Sequence, residues 1–457
     1  MSIILVTVFV ADKPAEAEPS TYELMMSGLV DQPRNFTYSE LQRFPMVSEV
    51  ALMECISGMA WLYNWTGIPL FFLLSETGVK AGATEVVFYA SDGFSSSLTI
   101  ERALHPTTLL ALQANGTVLS DANGPPNRLV VPCKYGYKWV KWITEIEVVD
   151  YDYKGTYERF GFSDEADIPN YTLPSTTPPF ETFHVNLGST NYSIITLSNS
   201  TINSFDFTLG EQICFNITGP PNTTSYFYVN IPKELLRCIS PEEWQVWANA
   251  AIIEDRKVMG ITAHSYICFT YNHSIQEDQI VLTILNASER ARHDISITDV
   301  TTSKTVIGQG YNLNITVTII NYSNDTENRN VTVYANTTTT ASQNITLTNK
   351  NATTATFTWN TTGFAKGNYT ISAEASVVPN ETYTDDNIYI YGIVKMTIPG
   401  DGDGNFEVNY EDLFDLADAY GSFPNDNNWD ANCDFNGDDR VNYEDLFILA
   451  DHYGIFV

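Results

Sequence analysis

Alternating apolar and polar residues dominate the middle of the chain and predict β-strands there. In residues 178–287 the clearest runs are Ser193–Leu197, Phe205–Leu209, Gln212–Ile217, Tyr226–Ile231 and Ser265–Tyr271. A period of two places every second side chain on one face of a strand. Turn-forming residues such as Gly219 and Pro220 separate the runs, so this segment predicts a β-sandwich.

A second β-sandwich is predicted for residues 292–398. Its runs are Asp294–Val300, Tyr311–Asn321, Asn330–Ala335 and Gly367–Ala373. The stretch Ile168–Pro179, which is rich in Pro, Ser and Thr, precedes the first sandwich and predicts a linker. A chain of 457 residues is expected to hold several domains.

An internal repeat marks residues 399–457. Asp401–Phe414 recurs as Asp434–Phe447, an offset of 33 residues, and each copy continues into a helical pattern. Oxygen-bearing side chains at alternating loop positions suit Ca²⁺, a hard cation that takes oxygen ligands. The predicted ligands are Asp401, Asp403, Asn405, Asn409 and Asp412 in the first loop, and Asp434, Asn436, Asp438, Asn442 and Asp445 in the second. An acidic hairpin without an ion is the alternative interpretation.

The repeat also predicts a shared helix core. Leu413, Phe414, Leu416 and Ala417 recur as Leu446, Phe447, Leu449 and Ala450, and we expect them to form one buried stripe. At the loop position where a positive φ is needed, the copies carry Phe406 and Asp439 instead of Gly. A positive φ costs these residues energy, and Asp tolerates it better than Phe.

The first third of the chain contains a different kind of candidate site. The alternating run Val47–Leu52 leads to Cys55, and Gly58 permits a tight turn after it. A thiol at a strand end is suited to a soft metal. Downstream, Arg128, Lys134, Lys138 and Lys141 form a basic cluster. Together they indicate a metal carried on a phosphorylated organic cofactor, while a buried structural cysteine and a solvated strand face are the alternatives.

Charge and composition narrow the setting of the protein. The formal net charge of -32 argues against nucleic acid and anionic membranes as partners. Apolar residues make up 44%, which is enough for several hydrophobic cores. Asn-x-Ser/Thr sequons, for example at Asn35, Asn191 and Asn314, fit an extracellular glycoprotein. Residues 1–19 resemble a signal segment, and no later segment is apolar enough to span a membrane.

Several blocks in residues 20–168 resemble the molybdopterin-binding domain of the sulfite oxidase family. They are Leu24–Val30, Tyr38–Pro45, the Cys55 turn, Asn64–Leu70, Val86–Ser95, Pro126–Pro132 and Tyr135–Trp142. The resemblance implies an α+β fold and an oxidoreductase containing molybdenum. It implies that Cys55 ligates the metal and that Arg128, Lys138 and Lys141 contact the cofactor. Asp92 could orient a substrate or water, or simply form a turn before Gly93.

The remaining segments have resemblances of their own. Residues 292–398 resemble adhesion-type immunoglobulin-like modules of secreted prokaryotic proteins. Residues 399–457 resemble a type I dockerin, which implies two bound calcium ions and a cohesin-like scaffold module as partner. The implied contact lies near Asn409–Glu411 and Asn442–Glu444.

Two functions remain open at this stage. The first is a secreted or surface-attached molybdopterin-dependent oxidoreductase that acts on a small oxo-compound and exchanges electrons with a separate redox partner. The stretch Ser57–Trp61 lacks the arginines that hold sulfite in the family, so sulfite is disfavoured as substrate. The second is a cofactor-free structural or adhesion protein that keeps the same fold.

Overall fold

The computed structural model describes residues 21–169, 171, 180–236, 240–261, 263–274, 277–285, 287 and 293–456. The signal-like segment, most of the predicted linker and Cys238 lie outside these residues. The chain forms two compact units. The first contains the described residues up to Val185 together with Ser193–Thr208 and Gln212–Leu285, and the second contains Asn186–Tyr192, Leu209–Glu211 and the residues that follow.

The N-terminal domain of the first unit contains two sheets. One has the order β2-β1-β10-β5-β6, with β1 parallel to β10. Its strands are β1 (Glu23–Gly28), β2 (Arg34–Thr37), β5 (Glu85–Ala90), β6 (Ser95–Thr99) and β10 (Ile143–Val149). The other has the order β3-β4-β7-β8, with β9 paired to β7. Its strands are β3 (Val47–Glu54), β4 (Ala60–Pro69), β7 (Leu109–Ala114), β8 (Thr117–Val118) and β9 (Arg128–Val130).

Short helices connect and cover these sheets. They are α1 (Tyr38–Leu41), α2 (Leu70–Thr77) and α3 (Ile100–Leu104). Helix α1 begins with a capping box, in which Thr37 and Glu40 satisfy each other's backbone N–H groups. Helix α2 is apolar on nearly all sides and therefore lies in the core, where Phe71 is fully buried.

The rest of the first unit is a two-sheet sandwich. Its sheets have the orders β11-β12-β15-β19-β18 and β13-β14-β20-β16-β17. The strands are β11 (Glu181–Leu187), β12 (Thr190–Ser198), β13 (Thr201–Thr208), β14 (Gln212–Thr218), β15 (Thr224–Pro232), β16 (Trp244–Ala248), β17 (Ala251–Ile252), β18 (Arg256–Ile261), β19 (His264–Asn272) and β20 (Asp278–Ile284), and α4 is Lys233–Leu236.

This sandwich shares a core with the N-terminal domain. The Phe71 ring stacks on the Tyr228 ring at 3.9 Å between centroids, and the Tyr228 hydroxyl donates to the Leu104 carbonyl at 2.8 Å. Tyr266 and Met259 belong to the same buried cluster. The first unit therefore has one continuous core.

The second unit begins with another two-sheet sandwich, of orders β21-β23-β26 and β22-β28-β27-β24-β25. Its strands are β21 (Ile295–Thr302), β22 (Val306–Gly308), β23 (Asn312–Asn321), β24 (Glu327–Ala335), β25 (Thr338–Leu347), β26 (Asn351–Asn360), β27 (Gly367–Ala375) and β28 (Ile388–Thr397). Buried residues of both sheets, such as Trp359 and Val394, form its core. The predicted alternating runs therefore coincide with strands in both sandwiches.

The tail of the second unit contains the repeated helices α5 (Tyr410–Ala419) and α6 (Tyr443–His452). Asn409 and Asn442 cap their first turns through capping boxes with Asp412 and Asp445. In the described part of the chain, no helix has the length and apolar character needed to cross a bilayer.

The predicted helix stripe is wrong in part. Leu416 and Leu449 are buried, but Phe414 and Phe447 are 63% and 64% exposed. Leu446 is also exposed, as are the two alanines of the stripe, Ala417 and Ala450. Residues two positions apart lie on opposite sides of a helix, so Leu416 and Phe414 cannot face the same core.

Candidate active site

A cavity of about 270 Å³ lies beside the loop that joins β3 to β4. Its walls come from that loop, from the turn between β5 and β6, and from the segment that follows β9. The lining residues are Met53, Cys55, Ile56, Trp61, Asp92, Phe94, Arg128, Gly136, Tyr137, Trp139, Val140, Lys141, Trp142 and Tyr157. Cys55, Asp92, Arg128 and Lys141, which the sequence singles out, therefore share one cavity.

Cys55 occupies a tight turn directly after β3. Its N–H donates to the Met59 carbonyl at 2.8 Å, and the Gly58 N–H donates back to the Cys55 carbonyl at 2.8 Å. Gly58 has a φ of +83° with no atom near the position of a Cβ, so the turn needs Gly for its conformation and not for space. The thiol is half-buried and forms part of the cavity wall.

Arg128 is a buried cation without a carboxylate partner among the described residues. It is 3% exposed, and its Nε has no hydrogen-bond partner. One terminal nitrogen donates to the Met53 sulfur at 2.6 Å, and the guanidinium lies 5.4 Å from the Trp65 ring centroid and 6.0 Å from that of Trp139. Burial lowers the pKa of Arg128 to about 10, so it stays charged near neutral pH. A buried charge of this kind calls for an anion.

Lys141 provides a second positive charge next to Arg128. The two residues form an antiparallel bridge, and the Lys141 ammonium donates to the Ala122 carbonyl at 2.7 Å. Burial lowers the pKa of Lys141, and the charge of Arg128 lowers it further. An anion between them would relieve this repulsion. The neighbouring Trp142 has a φ of +52°, which is a strained conformation of the kind that clusters at functional sites.

Lys138 is not brought to this cavity. Its ammonium lies 2.8 Å from Glu158 and 3.1 Å from Asp164, and it donates to the Ser97 carbonyl at 3.0 Å. Gly136–Lys138 is one turn of 3-10 helix, so the adjacent Tyr137 faces the cavity while Lys138 points elsewhere. The charge of Lys138 is therefore already balanced by protein carboxylates.

Asp92 lies at the rim of the cavity and also forms a turn. Its Oδ1 accepts the Phe94 N–H at 2.9 Å, and Gly93 has a φ of +86°. The side chain is exposed. The turn role and the position beside the cavity are thus compatible with each other.

The aromatic walls of the cavity were not assigned a role from the sequence. Trp61, Trp139 and Trp142 line it, and the rings of Tyr137 and Tyr157 stack at 5.4 Å. The density of aromatic residues in Tyr135–Trp142 was the available signal. These walls make the cavity apolar apart from its two cations and Asp92.

The first predicted calcium loop brings three carboxylates together. One oxygen from each of Asp401, Asp403 and Asp412 lies within 4.8 Å of the others. Burial raises the pKa of Asp401, and Asp412 contributes in the same direction. Asn405 Oδ1 accepts the Glu407 N–H at 2.7 Å, while Asn409 is engaged as the cap of α5. The loop's oxygen donor set fits a hard cation.

The second loop repeats much of this arrangement. Asp434 and Asp445 are buried, and Asp445 Oδ1 accepts the Asn436 N–H at 3.2 Å. Asp438 donates its N–H to Asn436 Oδ1 at 2.9 Å, and Asn442 caps α6. The expected backbone strain is present in both loops, since φ is +70° at Phe406 and +63° at Asp439.

The thiol, the two cations and the apolar walls define a site suited to an anionic metal cofactor, and comparisons with known proteins specify the family. Residues 11–157 match the family described as "Oxidoreductase molybdopterin binding domain". The uncharacterized oxidoreductase YuiH of Bacillus subtilis is 30% identical over 157 residues, which cover 34% of this chain and 79% of the relative. The chain belongs to this molybdopterin-binding family, and the predicted sulfite-oxidase-type domain is confirmed.

Two further relatives carry more specific names. A putative protein-methionine-sulfoxide reductase subunit YedZ1 of Azospira oryzae is 32% identical over 152 residues, covering 33% of this chain and 58% of the relative. The protein-methionine-sulfoxide reductase catalytic subunit MsrP of Gluconobacter oxydans is 33% identical over 159 residues, covering 31% and 51%. The chain thus spans little more than half the length of these two relatives.

Proposed function

We propose that the protein is a molybdopterin-dependent oxidoreductase in which Cys55 holds the molybdenum. Arg128 and Lys141 would hold the pyrophosphate of the cofactor. The observation that carries the proposal is Arg128, because its buried guanidinium shares a cavity with the thiol and has no carboxylate partner in the described structure. When bound, the cofactor supplies two-electron oxygen-atom chemistry, which no side chain provides.

The chain's own residues would bind and orient the substrate. Trp61, Trp142 and Tyr157 line the cavity, and Ile56 and Met59 lie exposed beside the thiol. Both cations of the cavity would be engaged by the cofactor, which leaves apolar surface for the substrate. An uncharged sulfoxide fits this surface better than an oxyanion such as sulfite. The names of two relatives support the same substrate class.

Metal content tests the cofactor assignment. We expect wild-type protein from a host that makes molybdopterin to contain molybdenum by elemental analysis, and Cys55→Ser to lose it. Cys133→Ser is the matched control, because Cys133 is also half-buried but does not line the cavity, and it should keep the metal. Metal-free wild-type protein would instead favour the cofactor-free structural or adhesion role.

For the tail, we propose calcium binding in both loops and docking to a cohesin-like scaffold module at the cell surface. The duplicated acidic loops support calcium. Exposed aromatic pairs on the helices, Tyr410 with Phe414 and Tyr443 with Phe447, support docking. The immunoglobulin-like assignment of residues 292–398, glycosylation and an extracellular location belong to the same proposal, as does a separate redox partner.

Isothermal titration tests the tail. The wild-type protein should bind calcium, and a double variant, Asp401→Ala with Asp434→Ala, should not. Removing Asn405 and Asp438 as well should add nothing further. An unchanged isotherm in the double variant would reject the loop assignment.

A further inference from the structure

One edge of the second sandwich contacts both predicted calcium loops. The turn between β21 and β22 reaches the second repeat, where Asn432 Oδ1 accepts the N–H groups of Thr305 and Val306, each at 3.1 Å. The end of β28 reaches the first loop, where the Thr397 hydroxyl donates to Asp401 Oδ2. The tail therefore packs on the sandwich through the loops themselves.

Lys304 is the charged residue of this contact. It is only 6% exposed, and its ammonium donates to the backbone carbonyl of Asp434, the first residue of the second loop. Burial lowers the pKa of Lys304, while the negative charges of Asp434, Asp445 and Asp439 favour its charged form and oppose that lowering. A protein cation thus already offsets the mutual repulsion of the second loop's carboxylates.

The first loop has no equivalent buried ammonium among the described residues. Its nearest sandwich lysine, Lys395, lies over the Phe406 ring at 5.6 Å from the centroid. In this loop three carboxylates converge within 4.8 Å, and no such group is found in the second loop. The two copies of the repeat therefore differ in their electrostatic surroundings, and they also differ in the order of Asp and Asn at the third and fifth loop positions.

We propose that Lys304 makes the calcium affinities of the two loops unequal. The first loop binds calcium first, and the second binds it at a higher calcium concentration because the Lys304 ammonium repels the ion. Filling of the second loop then weakens the Lys304 contact, so the packing of the tail on the sandwich responds to calcium. This inference rests on the calcium binding proposed above.

The test is calcium titration of the full chain in a background that isolates the second loop. Asp401→Ala disables the first loop, and Lys304→Gln is then added. Gln removes the charge but keeps an N–H donor for the Asp434 carbonyl. A unit charge several ångströms from a divalent ion is worth about 1.4 kcal/mol even in water. We therefore expect the dissociation constant of the second loop to fall about tenfold. Lys395→Gln in the same background should leave it unchanged.

The titration results distinguish the role of Lys304 from calcium binding itself. If wild-type protein binds no calcium, the calcium proposal itself fails. If the Asp401→Ala protein binds calcium but Lys304→Gln leaves its affinity unchanged or weakens it, the role of Lys304 is refuted. Circular dichroism checks the fold of each variant, and Lys304→Met serves as a second charge-removing substitution if the Gln variant is misfolded.

Discussion

Replacing Arg128 with Met is expected to stabilise the cofactor-free protein and to abolish cofactor retention. The pKa of Arg128 falls by more than two units, to about 10, because burial disfavours its charged form. One pKa unit corresponds to about 1.4 kcal/mol, so keeping the charge in the folded state costs on the order of 3 kcal/mol. A lowered pKa of a base means that this cost applies at every pH below about 10.

Contacts of the guanidinium offset part of this cost. The Met53 sulfur and the rings of Trp65 and Trp139 contact the group, and each such contact contributes roughly 0.5–1 kcal/mol. Burying an apolar Met side chain recovers some of the lost packing. The net expectation for Arg128→Met is a gain of about 1–2 kcal/mol, or a rise in Tm of roughly 2–8 °C.

Lys138→Met is the matched control, because Lys138 is equally buried but paired with Glu158 and Asp164. Its removal leaves the buried Glu158 without a counter-charge and should cost about 3 kcal/mol. Calorimetry of protein from a host without molybdopterin synthesis measures both variants, and elemental analysis from a competent host measures retention. If Arg128→Met destabilises the apo protein as Lys138→Met does, or keeps its molybdenum, the assigned role of Arg128 is wrong.

Two further predictions concern buried charge and backbone strain. Burial raises the pKa of Glu49 from 4.5 to about 8, so the folded state binds a proton that the unfolded state releases. The contribution of Glu49 to stability should therefore fall between about pH 5 and pH 8, by up to about 1.4 kcal/mol per pH unit. The difference in unfolding free energy between wild type and Glu49→Gln in urea titrations should follow that slope, and a difference independent of pH would contradict the prediction. Phe406→Gly should relieve about 1 kcal/mol of strain at φ +70° and tighten calcium binding by the first loop about fivefold in titration. Asp439→Gly should give a smaller gain in the second loop. An unchanged affinity of the Phe406→Gly protein would count against strain in the first loop.

Local pattern was sufficient to predict the strands and the turn that carries the thiol. The alternation of Val47–Leu52 became β3, and Gly58 adopts the positive φ expected of a tight turn. The repeat likewise predicted α5 and α6. These features depend on residues close together in the chain, so the periodicity of hydrophobic residues and the turn-forming residues are enough to predict them.

Features that depend on distant residues could not be predicted in this way. Lys138 and Lys141 are three residues apart, yet Lys138 forms ion pairs with Glu158 and Asp164 while Lys141 lines the cavity. The exposed Phe414 could not be told from a core residue by its apolar character alone. The stacking of Phe71 on Tyr228 across the predicted linker also depends on tertiary packing.

That stacking has a practical consequence for any shortening or recombination of the gene. A protein truncated at the proline-rich linker would expose the aromatic surface around Phe71 to solvent, which favours aggregation. A boundary after Leu285 keeps this surface covered. The sheet that covers it should therefore be kept together with the redox domain.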